Sequence, residues 1–357
     1  MRNGSKANYG KINPVMEQPR ITLVGKPPQA LKTLLAGFNT VANHVYLILL
    51  PVLIDLGLWL GPKLRLKALL TPIVQDLVTQ MLKVAPADLV ETVKATQTMW
   101  AEALEQYNLA TTIRTLPVGI PSLMARLSPM ESPLPWNPVI ELPSVNWAVA
   151  SLGIFLTVGF LLGSFFFCLI SRQTAAESPK LKFKAYLLAY VNVVALFCLL
   201  LGLAILISIP LLIILSVLSA FNSGIAQFIV LLMGFTLIWL VIPLVFSVHG
   251  IFVNRQKPVQ AAVLSVKLVR FFLPGTGLFI MTAALISELL NRLWMLPEPD
   301  SWLLLLGVFG HAFVVTSLIV ASFIYYREGL RWMHDNIGIL ASRRKNAQPD
   351  GGTTIEQ

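Results

Sequence analysis

The stretch YLLAYVNVVALFCLLLGLAILISIPLLIILSVLSA, residues 186–220, contains no charged side chain and decides the fold of this chain. A transmembrane helix needs about 20 consecutive apolar residues, because the hydrocarbon core of a bilayer is roughly 30 Å thick and a helix rises about 1.5 Å per residue. Five further stretches have the required length and character: residues 42–61, 147–170, 225–253, 278–296 and 302–326. The sequence therefore predicts an all-α membrane protein with six transmembrane helices.

The composition agrees with this prediction and argues against other classes of protein. Of the 357 residues, 56% are hydrophobic and 12% are charged, whereas a soluble domain carries about 25% charged residues. The net charge of +10 does not indicate binding to nucleic acid, because no basic, solvent-facing domain with a reading element accompanies it. Cys168 and Cys198 both lie inside apolar stretches, which excludes a disulfide framework.

The lysines and arginines predict the orientation of the chain. They concentrate before the first span, between the second and third spans, between the fourth and fifth, and after the sixth. With six spans these segments share one side, and the positive-inside rule makes that side cytoplasmic. The sequence thus predicts a multi-pass protein of the bacterial cytoplasmic (inner) membrane with both termini in the cytoplasm. Between the second span and the C-terminus the residues concerned are Arg172, Lys180, Lys182, Lys184, Arg255, Lys257, Lys267, Arg270, Arg327, Arg331, Arg343, Arg344 and Lys345.

Five segments follow from this reading of the chain. Residues 1–25 are predicted to form a disordered cytoplasmic N-terminus, and residues 26–61 an interfacial helix and the first span. Residues 62–146 form an extracytoplasmic loop, residues 147–326 hold the other five spans, and residues 327–357 form a cytoplasmic tail. Helical periodicity in the first half of the loop predicts a helical cap, whereas the part after Arg114 is rich in proline and therefore extended.

A weak internal repeat accompanies the spans. Lys26-Pro-Pro-Gln-Ala30 precedes the first span, Lys257-Pro-Val-Gln-Ala261 precedes the fifth, and the basic segment 178–184 precedes the third. After Ala261 the apolar residues recur at helical spacing with Lys267 and Arg270 on another face, which is typical of a helix in the headgroup zone with membrane lipids as partners. The repeat predicts three two-span hairpins, each preceded by an interfacial amphipathic helix.

Ionisable residues inside predicted spans are the candidates for a polar site. Asp55 lies four residues after Pro51 in the first span, and a carboxylate within a membrane is costly enough to suggest a function. One interpretation is a proton or cation site at a broken helix. The other is a carboxylate near the outer interface, or one paired with a basic residue on another span.

The fifth span offers a second polar feature near the same depth. Glu288 and Arg292 are four residues apart, so they lie on one helix face and can form an ion pair. The alternative is an outer polar site that these two residues share with Asp55. His311 in the sixth span is expected to form an interhelical hydrogen bond, because no pair of histidines has the spacing of a metal site. Pro210 in the third span is a candidate helix break, or else a kink.

Small residues mark expected helix-packing faces. Gly159 and Gly163 form a GxxxG motif in the second span, while Ser317 and Ala321 repeat the spacing in the sixth. Small side chains let membrane helices approach closely. The glycine pair is therefore a candidate contact with other membrane proteins or with a second copy of the chain.

Several short motifs carry a resemblance of spans three to six to a known family. They are residues 243–249 (PLVFSVH), the helix 260–272, Gly310-His-Ala-Phe313 and residues 321–327 (ASFIYYR). With their basic linkers, these parts resemble uncharacterised bacterial polytopic membrane proteins and, more loosely, the membrane domain of glycerophosphodiester phosphodiesterases. In that family the hydrolase chemistry belongs to a separate soluble barrel domain, which this sequence lacks, so the resemblance implies no catalytic residue here.

The functional prediction is correspondingly general. No nucleotide-binding, nucleophile or haem-attachment motif is present, so neither a catalytic constellation nor a cofactor is predicted. We expect a non-enzymatic structural, interaction or lipid-associated component of the inner membrane. The alternative is a small transporter or channel-like protein that uses Asp55 and the Glu288/Arg292 pair.

Overall fold

The structure is a computed structural model that describes residues 24–84, 90–136, 138–175, 182–221 and 223–346. About 80% of it is helical. The predicted disordered termini lie largely outside the described residues, which exclude 1–23 and 347–357. In the described part the α-helices are α1 (Ala30–Asn43), α2 (Leu49–Leu60), α3 (Lys67–Val84), α4 (Val90–Gln106), α5 (Met124–Leu127), α6 (Val145–Gln173), α7 (Phe183–Phe221), α8 (Ser223–Val241), α9 (Ser247–Asn254), α10 (Pro258–Phe271), α11 (Leu273–Trp294) and α12 (Leu304–Asn346).

Five of the described helical segments are long and apolar enough to cross a membrane. They are Val145–Gln173, Phe183–Leu218, Gln227–Asn254, Leu273–Trp294 and Leu304–Gly338. A sixth span results if Ala30–Asn43 and Val45–Leu60, which meet at 95°, are taken as one bent span. The chain is therefore helical and has the architecture of a multi-pass membrane protein, as the sequence predicts.

The first predicted span differs from a straight helix. The chain bends at His44, whose φ of −133° and ψ of 58° are not helical, and continues through a 3₁₀ turn (Val45–Ile48) into α2. Before the bend, α1 packs along α12, where a Cβ atom on Gly37 would lie 2.5 Å from the carbonyl oxygen of Ser317 and 2.6 Å from Ala321 Cβ. The small residues of α12 thus form the packing face that their spacing predicts.

The two matching sequence segments lie at the starts of two helices of equal length. Helix α1 begins at Ala30, the last residue of the first segment, and has 14 residues, whereas α10 begins at Pro258, the second residue of the other segment, and also has 14 residues. Phe272 joins α10 to α11 with φ −139° and ψ 60°, close to the angles of His44. The internal repeat stays a prediction, because the two helices begin at different residues of their segments and residues 178–181 of the third segment lie outside the described residues.

Two helices continue past a position where the sequence allowed an end: Pro210, for which a kink was the alternative to a break, and Tyr326, the last residue of the sixth predicted span. Helix α7 continues through Pro210 to Phe221, so Pro210 is inside a helix rather than at a break. Proline removes one backbone hydrogen bond, and the apolar turns on both sides continue without a cap residue. Helix α12 continues past Tyr326 to Asn346, so the segment predicted as a tail begins as a helix.

The connection between α2 and α6, residues 61–144, is called the long connection below. Helices α3 and α4 pack against each other in its first half. Two short strands, β1 (Lys63–Arg65) and β2 (Val139–Glu141), pair in parallel across it. Arg65 donates to Glu141 at 2.8 Å and to Glu105 at 3.0 Å. Hydrogen bonds from Lys67 and Arg65 lower the pKa of Glu105, so this carboxylate stays charged and holds α4 to the strand pair.

Lys63 fixes the start of the long connection to the end of α2. Its side chain is fully buried, and Nζ donates to the carbonyl oxygens of Leu58 at 2.6 Å and Trp59 at 2.7 Å. These carbonyls belong to the last turn of the helix, where backbone acceptors lack helical partners and favour a cation. Burial lowers the pKa of Lys63 to about 8.

Candidate functional site

The two ends of the helical bundle are formed by different groups of residues. The basic end is defined by Arg172, Lys182, Lys184, Arg255 and Arg327, which lie together around one cavity. The connection end, at the opposite end of α6, is covered by parts of the long connection. The polar residues expected from the sequence lie toward the connection end, and the structure gives them separate environments.

Asp55 binds the long connection. Its side chain is fully buried, and Oδ1 accepts hydrogen bonds from Ser122 Oγ at 2.6 Å and the Met124 amide at 3.0 Å. Oδ2 accepts from the Leu123 amide at 3.0 Å. These amides open the short helix α5, where unpaired N–H groups attract an anion. Asp55 therefore ties α2 to residues 122–124, a partnership that the sequence interpretation did not include.

Another part of the long connection covers Gly159 and Gly163, the glycine pair of α6. A Cβ atom on Gly159 would lie 2.3 Å from the Ile113 carbonyl oxygen, and one on Gly163 would lie 2.1 Å from the Val118 carbonyl oxygen. Only a residue without a side chain permits such an approach of backbone to helix. The backbone of the long connection thus occupies the face of α6 that was expected to meet another helix. Glycine allows this, because the space left by its missing side chain can hold an irregular backbone as well as a helix.

Glu288 and Arg292 interact as their spacing predicts, but Arg126 is the closer partner. Arg126 Nη2 lies 2.9 Å from both carboxylate oxygens of Glu288, whereas Arg292 Nε lies 3.7 Å away. The side chains of Arg126 and Glu288 are 41% and 44% exposed, so the pair contributes little stability. Asp55 accepts hydrogen bonds at the start of α5, whereas Glu288 pairs with Arg126 within α5, so among the described residues no hydrogen bond or ion pair joins Asp55 to this pair.

His311 forms the expected interhelical hydrogen bond. Its Nδ1 donates to Asn291 Oδ1 at 2.7 Å, joining α12 to α11. Trp294 packs next to this bond: a Cβ atom on Gly310 would lie 2.7 Å from its indole ring.

Arg114 lies outside the spans, near the same end. Burial lowers the pKa of Arg114, repulsion by Arg126 lowers it further, and the attraction of Asp55 opposes this shift. The polar groups near the connection end therefore hold helices and loop together.

A cavity of about 410 Å³ opens at the basic end, between α6, α7, α9 and α12. None of Asp55, Glu288, Arg292, His311 and Pro210 lines it. The sequence patterns used its basic residues to orient the chain and, for Lys182 and Lys184, to mark the start of a predicted hairpin. Their position beside span ends was visible in the sequence, but their convergence on one cavity depends on how the helices pack.

Within the described part of the chain, no group of three or more His, Cys, Asp or Glu side chains is placed to hold a metal ion. No protein-family model matches this sequence, and no curated protein or solved structure matches it either. The resemblance to the membrane domain of glycerophosphodiester phosphodiesterases stays a prediction, because none of these comparisons bears on it.

Proposed function

We propose that this chain is a non-enzymatic, lipid-associated component of the bacterial inner membrane. The observation that carries the proposal is the gathering of five basic side chains from separate segments around one cavity at one end of the bundle. Basic residues at the ends of spans are typical of the cytoplasmic face, where anionic lipids attract them. In this proposal the basic end and both termini are cytoplasmic, and the long connection forms an extracytoplasmic cap.

Six spans, arranged as three hairpins, are part of the proposal. Residues Val45–Leu60 have contacts at both ends of the bundle. Near their start Gln173 Nε2 donates to the Tyr46 hydroxyl beside the basic end. Near their end Trp59 Nε1 donates to the Pro299 carbonyl oxygen, 2.8 Å away, in the turn between α11 and α12. A segment with partners at both ends supports a crossing of the membrane, and an even number of crossings returns the chain to its starting side.

The alternative, a transporter or channel-like protein, has less support. A transport site needs a polar group that can exchange partners with an ion or a proton. Asp55 instead accepts three hydrogen bonds from residues 122–124. Glu288 contacts two arginines at a partly exposed surface, and α7 continues through Pro210. These arrangements favour structural roles for the predicted polar residues.

The proposed orientation predicts the labelling of single cysteines in a variant lacking Cys168 and Cys198. A cysteine at Thr98, exposed on α4, is expected to react with a membrane-impermeant maleimide added to intact spheroplasts. A cysteine at Lys257, exposed at the start of α10, is expected to react only after the membrane is permeabilised. The reverse labelling pattern would reject the orientation.

The lipid-associated function predicts the lipids that accompany the purified protein. Extraction in a lipid-preserving polymer, followed by mass spectrometry, is expected to give a higher fraction of anionic lipid than the bulk membrane contains. A preparation washed in about 1 M salt is the control, because the screening length there falls to about 3 Å and the enrichment should decrease. A lipid composition equal to that of the bulk membrane would contradict the proposal.

A further inference from the structure

The cavity at the basic end has the composition of a site for an anion. Arg172, Lys182, Lys184, Arg255 and Arg327 line it, and its described lining contains no carboxylate. Glu177, in the adjacent sequence, is outside the described residues. Like charges held around one cavity repel each other, and an anion among them replaces this repulsion by attraction. The volume of about 410 Å³ lies within the range of ligand sites, about 300–1,000 Å³.

Two of the arginines are positioned by the backbone. Arg327 Nη2 donates to the Ser171 carbonyl oxygen at 2.8 Å and to Ser171 Oγ at 3.3 Å, which fixes it beside the last turn of α6. Arg255 follows α9 with φ 53° and ψ 36°, in the left-handed region. This conformation is uncommon for any residue except glycine. An arginine where glycine would be less strained indicates a use for its side chain.

The walls of the cavity indicate which kind of anion fits. Leu188 and Ala189 of α7, together with Ile251 and Phe252 of α9, give it an apolar side between the helices. Leu188 is 54% exposed, so this side continues onto the surface that α7 turns toward lipid. An apolar wall adds nothing to the binding of a small soluble anion, whereas a phospholipid carries both a phosphate for the basic residues and hydrocarbon chains for the apolar wall.

We propose that this cavity binds a phosphate-bearing anion, namely the headgroup of an anionic phospholipid whose chains lie along α7. Arg172, Arg255 and Arg327 would contact the phosphate, since guanidinium groups form paired hydrogen bonds with its oxygens. Lys182 and Lys184 would add charge at the opening. This inference rests on the proposed function and makes it specific, because it names one site and one ligand class.

The test measures lipid binding by the purified full chain, using native mass spectrometry with phosphatidylglycerol, phosphatidylcholine, glycerol phosphate and inorganic phosphate as separate probes. The cavity variant combines Lys184→Gln and Arg255→Gln. Both side chains are exposed, and among the described residues neither makes an ion pair, so the fold should persist. The matched control combines Lys267→Gln and Arg270→Gln, which removes the same charge from the exposed side of α10.

We expect the cavity variant to bind phosphatidylglycerol about tenfold more weakly than the unaltered chain, with about threefold change or less in the control. Equal weakening in both variants, or none in either, would overturn the cavity as the site. Binding of phosphatidylcholine as tight as that of phosphatidylglycerol would overturn the need for net negative charge. Inorganic phosphate or glycerol phosphate binding as tightly as the lipid would overturn the phospholipid assignment.

These results separate the site from the proposed function. If anionic lipid is enriched with the unaltered chain but the cavity variant behaves like the control, the lipid association stands and the site falls. If the unaltered chain enriches no anionic lipid, the proposed function itself falls.

Discussion

Replacing Asp55 with alanine is expected to lower the free energy of unfolding by about 3–5 kcal/mol. The change leaves the Ser122 hydroxyl and the amides of Leu123 and Met124 without their acceptor in a buried place. Each unsatisfied buried donor costs about 1–3 kcal/mol. The loss can be measured as a lower unfolding midpoint of the purified protein in mild detergent, followed by tryptophan fluorescence.

Two further variants identify the cause of the Asp55 effect. Asp55→Asn keeps the shape and one oxygen acceptor, so we expect it to recover part of the stability lost in the alanine variant. Glu288→Ala removes a carboxylate near the same end that is 44% exposed, and an exposed ion pair is worth about 1 kcal/mol or less. If Glu288→Ala destabilised the protein as much as Asp55→Ala, the structural role assigned to the Asp55 hydrogen bonds would be refuted.

Replacing Gly163 with leucine is expected to displace the long connection from α6. The Cβ atom alone would lie 2.1 Å from the Val118 carbonyl oxygen, a backbone atom that cannot move aside without its segment. Overpacking of this kind costs about 1–3 kcal/mol or more. A cysteine introduced at Val118, which is fully buried, should then become reactive toward maleimide, and the unfolding midpoint should fall.

Gly153 provides the matched control on the same helix. A Cβ atom there would have no heavy atom within 4 Å, so Gly153→Leu removes a glycine from α6 without a clash. Since leucine favours helix over glycine by roughly 0.5–1 kcal/mol, this variant should be as stable as the unaltered chain or slightly more stable. If the cysteine introduced at position 118 stayed unreactive toward maleimide in the Gly163→Leu variant, the long connection would not rest on this face of α6.

Much of the architecture was predictable because it depends on local pattern. An apolar run long enough to span a bilayer must form a helix there, since unpaired backbone groups are too costly in hydrocarbon. A different signal, the helical spacing of apolar residues, predicted helix in the first half of the long connection, where α3 and α4 lie. Small residues of α12 also predicted a packing face, because close helix approach needs short side chains whichever helix arrives.

The candidate sites were less predictable because they depend on partners distant in sequence. Asp55 and Ser122 are 67 residues apart, and no local pattern around either residue indicates the other as its partner. The strands Lys63–Arg65 and Val139–Glu141 have three residues each, too few to show an alternating pattern. The spacing of Gly159 and Gly163 predicted a close contact but did not indicate which part of the chain makes it.

By itself, the sequence determined that this chain is a helical membrane protein, which helices are long enough to span, and where the basic residues lie along the chain. Only the tertiary structure decided that Asp55 holds the long connection, that this connection covers the glycines of α6, and that five basic residues surround one cavity. The physical reason is the range of the forces involved. Burial of apolar helices is imposed by the solvent and can be read segment by segment, whereas hydrogen bonds and charge clusters exist only once particular segments meet.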